Sequence, residues 1–236
     1  MTRSVTVPRK PRMYLPNIPY HVIQRGNNRD ATFFCEEDYQ FYLECLYDAI
    51  KRYGVKVHAY VLMTNHVHLL MTPTAKESIS LTMQSVGRRY VQYINKLYKR
   101  TGTLWESRHK ASPVDAENYL MICHRYIEMN PVKAKMVYSP AEYRWSSYRC
   151  NAEGKFNRLV ETHDVYGRLG KSVEERCERY SLLFKQQNDF NAEKRIKDSI
   201  EFSVPTGSHS FKEQIERALR CKVGYAHRGR PRIKVK

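Results

Sequence analysis

The sequence predicts an α+β fold, a ferredoxin-like antiparallel sheet with helices packed on it, and three observations lead there. Segments with strand and helix periodicity alternate in the order strand, helix, strand, strand, helix, strand, helix over roughly the first 150 of 236 residues. The second and third strand runs are separated only by Thr64-Asn65, which calls for an antiparallel hairpin. The helical segments carry their apolar residues on one stripe, the pattern of helices lying on a sheet.

Taken in order, the text from Tyr20 to Phe34 reads as a strand interrupted by the turn-rich Gly26-Asn27-Asn28, with Arg25 and Arg29 flanking the turn. Residues 36–53 open with Glu36-Glu37-Asp38, place Tyr42, Cys45, Leu46, Ala49, Ile50 and Tyr53 at helical spacing, and stop at Gly54. Residues 55–63 and 66–72 are the hairpin strands, closed by Pro73. A basic helix follows over 78–99, with Ile79, Met83, Val86, Tyr90, Ile94 and Leu97 on one stripe and Arg88, Arg89, Lys96 and Lys99 between them. Residues 103–114 read as a strand, and Asp115 as the N-cap of a helix over 117–129. Pro131 disfavours helical backbone at Asn130 and so marks a boundary there.

After Tyr148 the β-rich runs thin out, and Phe211, Ile215 and Leu219 mark a short helix. The expected organisation is a catalytic domain over 1–150 with a basic N-terminal arm, then a mostly helical DNA-binding extension over 151–236 ending in a basic tail.

Charge narrows the partner. Lys and Arg number 41 against 24 Asp and Glu, a formal charge of +17, which biases the chain toward polyanions such as nucleic acid. The surplus concentrates at both ends: Arg3, Arg9, Lys10 and Arg12 come without an acid, as do the basic residues of 226–236. No stretch approaches the roughly 18 apolar residues of a membrane span, and the N-terminal text lacks a signal-peptide core. The expectation is a cytoplasmic protein with no membrane partner. The 6 cysteines are scattered without a Cys-x-x-Cys pair, so neither a zinc site nor a disulfide framework is expected.

The chemistry gathers in two short runs. In Asn65-His66-Val67-His68-Leu69-Leu70 the histidines alternate with apolar residues, so on a strand both imidazoles project from one face toward one cation. Two ligands do not complete a site. Tyr126 and Asn130, four apart near a helix end, share a stripe with Tyr119 and Ile122, and the Asn130 carbonyl oxygen is a candidate third ligand. A phenol is a poor nucleophile at neutral pH; once activated it can attack phosphorus and hold a strand covalently. Two imidazoles and an amide oxygen suit Mn²⁺, and less obviously Mg²⁺.

These runs, with Arg125-Tyr126-Ile127-Glu128-Met129-Asn130-Pro131-Val132-Lys133-Ala134 and Tyr143-x-Trp145-Ser146-Ser147-Tyr148, resemble the REP-associated tyrosine transposases. These are relatives of the IS200/IS605 transposases within the His-hydrophobic-His single-strand nucleases. The likeness covers about Tyr20 to Tyr148. It implies Tyr126 as nucleophile and a divalent ion, Mg²⁺ or Mn²⁺, held by His66, His68 and Asn130. It also implies binding of repetitive extragenic palindromes, DNA hairpins with a guide tetranucleotide, and cleavage and rejoining of the nearby single strand through a covalent 5′-phosphotyrosine. Arg25 and Arg29 then fall where single-strand bases are contacted, and Arg108 and Lys110 where hairpin phosphates are gripped. The family run carries an aromatic where this chain has His109. Arg88 and Arg89 on the basic helix join the expected DNA contacts. Arg228, Arg230 and Arg232 in Arg-Gly-Arg-Pro-Arg resemble an AT-hook that inserts in the minor groove; a nonspecific polycation tail is the other reading. The alternatives to a transposase are a non-catalytic regulatory protein that binds palindromes, and an RNA-binding or RNA-cutting module. Both monomer and homodimer remain open.

Overall fold

The computed structural model describes residues 14–185 and 189–223. Four strands, β1 (Tyr20–Arg25), β2 (Val55–Met63), β3 (His66–Pro73) and β4 (Lys110–Pro113), form one sheet in the order β2-β3-β1-β4. Every neighbouring pair is antiparallel. With α1 (Glu36–Tyr53) between β1 and β2 and α2 (Ser78–Leu97) between β3 and β4, this is the expected ferredoxin-like arrangement.

The alternation of side chains along β3 divides the molecule. Val67, Leu69 and Met71 point to one face and meet Tyr42 and Leu46 of α1 and Ile79, Val86, Tyr90 and Ile94 of α2 in the main core. Leu70 points to the other face and, with Ala59 and Val61 of β2, packs on Leu120, Cys123 and Ile127 of α3 (Ala116–Glu128). That second face is covered in turn by α3 and by helices that follow it. After the short α4 (Asn130–Lys133), α5 (Tyr148–Glu153), α6 (Asp164–Gly167), α7 (Val173–Lys185), α8 (Phe190–Phe202) and α9 (His209–Leu219) follow, and Ile196 of α8 joins the same cluster.

Helix α1 begins where Asp38, fully buried, accepts from the backbone N–H groups of Phe34 and Cys35 and from Tyr98 Oη. It ends at Gly54, whose φ of 64° is left-handed and where a Cβ would overlap Thr74 Oγ1, so only glycine turns the chain into β2. Both sheet edges are covered. On β2, Leu62 N–H donates to Trp145 O and Ser147 N–H to Tyr60 O; on β4, Thr206 N–H donates to Pro113 O. Edge groups thus paired are closed to other chains.

Two expectations need correcting, and a third holds with a difference. The strand expected over 103–114 is reduced to Lys110–Pro113, because Leu104 and Trp105 are buried from a loop that packs into the main core. The basic helix ends at Leu97, which is half exposed and does not continue the stripe. Asp115 is the N-cap of α3, yet its side chain accepts from Asn118 Nδ2 rather than capping the helix backbone.

Buried histidines set the acid limit of this fold. His58, 2 % exposed, bridges Glu161 O and Thr72 Oγ1, and burial lowers it from 6.5 to about 4. His124 is held well below its ordinary value, mainly by burial. A histidine depressed in the folded state contributes stability above its unfolded pKa and loses it as pH falls toward the folded value. Glu128, raised to about 7 by burial, acts in the opposite direction over pH 4.5 to 7, but as one group against several. The melting temperature is therefore expected to be level above about pH 7 and to fall steeply from pH 6.5 toward 4. His58→Gln should flatten part of that slope. A melting temperature unchanged from pH 7 to 4.5 in a thermal scan would contradict it.

Candidate active site

Strand register assembles the site. On the α3 face, His66 and His68 stand on β3, and β1 sets Arg25 directly opposite His66 and Ile23 opposite His68. Ile23 in turn pairs with Lys110 of β4. Residue Gly26 lets β1 leave the sheet here: its N–H donates to Asn65 O, and a Cβ would overlap the Asp30 carbonyl. The expected turn is a single 3₁₀ turn at Asn27–Arg29. From the other side, α3 delivers Tyr126, whose ring lies 5.9 Å from that of His68 and 5.7 Å from that of His21.

Together these residues line a cavity of about 640 Å³ that holds His66, His68, Tyr126, Asn130, Arg25, Arg29, Arg108 and Lys110. Helix α8 supplies its remaining wall, and Glu201 there pairs with Lys110 Nζ at 2.7 Å. Two expected DNA contacts lie elsewhere. Arg88 lines a neighbouring groove, and Arg89 faces α1, where it pairs with Asp48 at 2.8 Å. Arg228, Arg230 and Arg232 lie outside the described residues.

The hydrogen bonds fix which atoms face the cavity. Asn65 Nδ2 donates to Arg29 O, so its Oδ1 accepts from His66 Nδ1 at 2.7 Å and leaves His66 Nε2 as a lone-pair donor to a cation. The Asn130 amide donates through Nδ2 to Tyr126 O at 2.7 Å and Ile127 O at 3.2 Å, which leaves Oδ1 as its free acceptor. Asn130 thus starts α4 while closing the end of α3. His68 Nδ1 lies 2.8 Å from His21 Nε2, so His68 also has its Nε2 remaining. Ligation through that atom requires His68 Nδ1 to carry the hydrogen and His21 to accept it.

The surroundings keep the imidazoles uncharged. Burial first, then neighbouring positive charge at Arg25, brings His66 down to about 4, and burial alone brings His21 to about 3. His68 is driven well below its ordinary value by burial and then by His21. All three are neutral near pH 7, the form a metal ligand needs. Among the described residues no three of His, Cys, Asp and Glu come together as a metal site; the Asn130 amide, whose Oδ1 makes no hydrogen bond described above, lines the same cavity as His66 and His68. Two imidazole nitrogens and an amide oxygen make a donor set that a divalent ion could use.

Burial raises Tyr126 to about 12, with Cys123 and Glu193 adding to the shift and Arg25 opposing it. Lys133 Nζ sits 5.0 Å from the centre of its ring and 2.7 Å from Glu193 of α8, bracing the phenol from below. Sequence reasoning missed His21, Asn65, Lys133 and Glu193, which support the cavity's side chains from behind without lining it. His21 shows a signal in hindsight, since His21, Ile23 and Arg25 alternate on β1 as His66 and His68 do on β3.

Residues 14–130 match the family described as "Transposase IS200 like". The chain belongs to that family through this segment. It is similar to a solved structure described as a REP-associated tyrosine transposase bound to a REP hairpin, at 17% identity, a TM-score of 0.54, and coverage of 67% of this chain and 93% of the other. At that identity the likeness speaks for the fold. A putative transposase from Deinococcus radiodurans is 22% identical over 48% of this chain and 92% of its own, with a TM-score of 0.37 that carries no argument. No curated protein matches the sequence.

A buried carboxylate stands beside the site in the chain. Glu128, fully buried at the end of α3, accepts from Ser147 Oγ at 2.5 Å, Asn151 Nδ2 at 2.9 Å and Tyr180 Oη at 2.6 Å. Ser147 also binds Tyr60 on the β2 edge. Glu128→Ala should cost about 3 kcal/mol, because it strands three buried donors. Urea denaturation reads this directly, and a loss under about 1 kcal/mol would show that the network is replaceable.

Proposed function

We propose that this IS200-like transposase cleaves and rejoins single-stranded DNA beside a hairpin, with Tyr126 as nucleophile. The observation that carries the reading is the convergence of Tyr126 with His66, His68 and Asn130 in one cavity rimmed by Arg25, Arg29 and Arg108. A palindrome hairpin is the partner of the neighbour described above, and a hairpin-bearing single strand is the substrate we infer for this chain.

In this reading Tyr126 Oη forms a bond to the scissile phosphorus, and the bond to the 3′ oxygen breaks. The phenol proton is lost and the departing oxygen gains one, leaving a free 3′ hydroxyl and a 5′-phosphotyrosine. Attack by another 3′ hydroxyl reverses the step and releases Tyr126, so the strand is rejoined without loss of the phosphodiester energy. A divalent cation held by His66, His68 and Asn130 would polarise the phosphate as a Lewis acid and fix it for in-line displacement. Arg25 helps the phenolate, being the neighbouring charge that lowers Tyr126. Asn65 and His21 hold the two imidazoles in orientation. Residues 151–236, with their basic tail, act as a DNA-binding extension, and Arg29 and Arg108 contact the strand at the cavity mouth.

A labelled hairpin oligonucleotide incubated with Mn²⁺ should give a protein adduct that survives denaturation, and Tyr126→Phe should abolish it. A wild-type protein that binds hairpins but gives no adduct in any flanking sequence would point to the non-catalytic alternative. His21→Phe removes the partner of His68 Nδ1 and should weaken Mn²⁺ binding about 10- to 100-fold in a spectroscopic titration. Unchanged affinity would remove His21 from the site.

A further inference from the structure

On the opposite face of the sheet, between α2 and the 103–109 loop, lies a second cavity of about 730 Å³. Gln24 lines it, whereas its chain neighbours Ile23 and Arg25 line the first, as the alternation along β1 requires. The two cavities meet at Glu106, Ser107 and Arg108, which line both.

Three features of this groove find no explanation within the described chain. Gln24 is 8% exposed and its Oε1 has no hydrogen-bond partner; Trp105 is 6% exposed and its Nε1 has none either. Buried polar groups left unpaired cost about 1–3 kcal/mol each and call for a cause. The third is Gly87, in the interior of α2, where glycine costs about 1 kcal/mol relative to alanine. No close packing requires it: a Cβ there would approach nothing nearer than Trp105 Nε1, at 4.0 Å. A side chain would fit the protein, and its omission keeps space open beside the indole N–H.

We propose that this groove seats one unpaired nucleobase of the same single strand whose phosphate is processed at Tyr126, an inference that rests on the DNA reading above. Trp105 Nε1–H donates to a carbonyl oxygen or ring nitrogen of the base, and Gln24 Oε1 accepts from its amino or imino N–H. Gly87 lets the flat ring approach α2. A site that needs both an acceptor and a donor excludes phosphate and carboxylate, which only accept, and ammonium, which only donates. A peptide amide offers both, but brings no anion for Arg88 and Arg108, the exposed arginines that line the groove. The shared residues 106–108 give the strand a continuous path from one cavity to the other. The groove thereby assigns Arg88 a phosphate contact next to a base-reading position.

The test uses the full chain in a Trp145→Phe background, so that Trp105 is the remaining one of 2 tryptophans. The probe is a hairpin oligonucleotide with a single-stranded flank, and a second set in which an abasic residue is walked along that flank. The expected result is saturable quenching of Trp105 emission and one flank position whose abasic substitution weakens binding about tenfold. Gly87→Leu, which fills the groove, should remove both the quenching and that positional sensitivity. If Gly87→Leu fails to fold, Gln24→Met removes the acceptor and is read in the same way. Binding with no quenching, or an abasic profile that is the same in wild type and variant, overturns the proposal. Adduct formation at Tyr126 is scored separately: an adduct without the Gly87 dependence sinks the base site alone, and the Gly87 dependence without an adduct sinks the transesterase reading alone.

Discussion

The pairing of β3 between β1 and β2 is the constraint on which the rest depends. This strand carries core residues on one face and His66 and His68 on the other, and it is hydrogen-bonded along both sides. A slip of one residue would turn both imidazoles into the α1/α2 core and Val67 and Leu69 into the cavity. The cost of burying unpaired imidazole among Leu, Ile and Tyr side chains therefore holds the register, and the register sets Arg25 opposite His66 and brings His21 within hydrogen-bond reach of His68. Fold and site are specified by one alternation of side chains.

Tyr126, the nucleophile we propose, comes from a different element and has to be tied to the sheet independently. Ile127 anchors α3 in the second core, while Glu128, next to it, is held by donors from the β2 edge segment, α5 and α7. Tyr126 and Asn130 lie on either side of these two anchors. The Trp145-Ser146-Ser147-Tyr148 run, which the sequence marks without explaining, is thus the brace between the β2 edge and the end of α3. It also explains why a carboxylate is kept in the interior: a glutamate with three donors fixes the helix end in rotation as well as position.

Much of this was legible because it is local. Two histidines two apart on a strand and a tyrosine and asparagine four apart near a helix end follow from backbone periods alone. His21 was not legible in the same way, since its role depends on which strand lies beside β1, and no local pattern states that. The 103–114 segment misled for a related reason: Leu104 and Trp105 are apolar enough for a strand, but they are buried by packing as a loop beneath α2. Arg89 sits on the helix the sequence predicted, one position from Arg88, yet the 100° step between neighbours turns it to Asp48 and away from the groove. In the C-terminal part α9 was visible from its spaced apolar residues, whereas α8 buries only Ala192, Ile196, Ser199 and Ile200, too few to stand out from its charges.

Burial acts on the two kinds of titratable group in this site in opposite senses. It keeps His66 and His68 neutral and ready to donate lone pairs, and it keeps the Tyr126 phenol protonated and inert, raised to about 12. The first effect leaves lone pairs free for ligation; the second keeps the phenol from attacking on its own. In the proposed reading, a cation held by His66, His68 and Asn130 would supply the same kind of Coulombic attraction to a phenolate that Arg25 already exerts on Tyr126. Glu193 and Lys133 hold this balance on the far side, one raising the phenol and the other over its ring. In a chain of net charge +17, a balance that favours polyanions without regard to sequence, a phenol protonated by default would confine the proposed chemistry to strands that reach a loaded cavity.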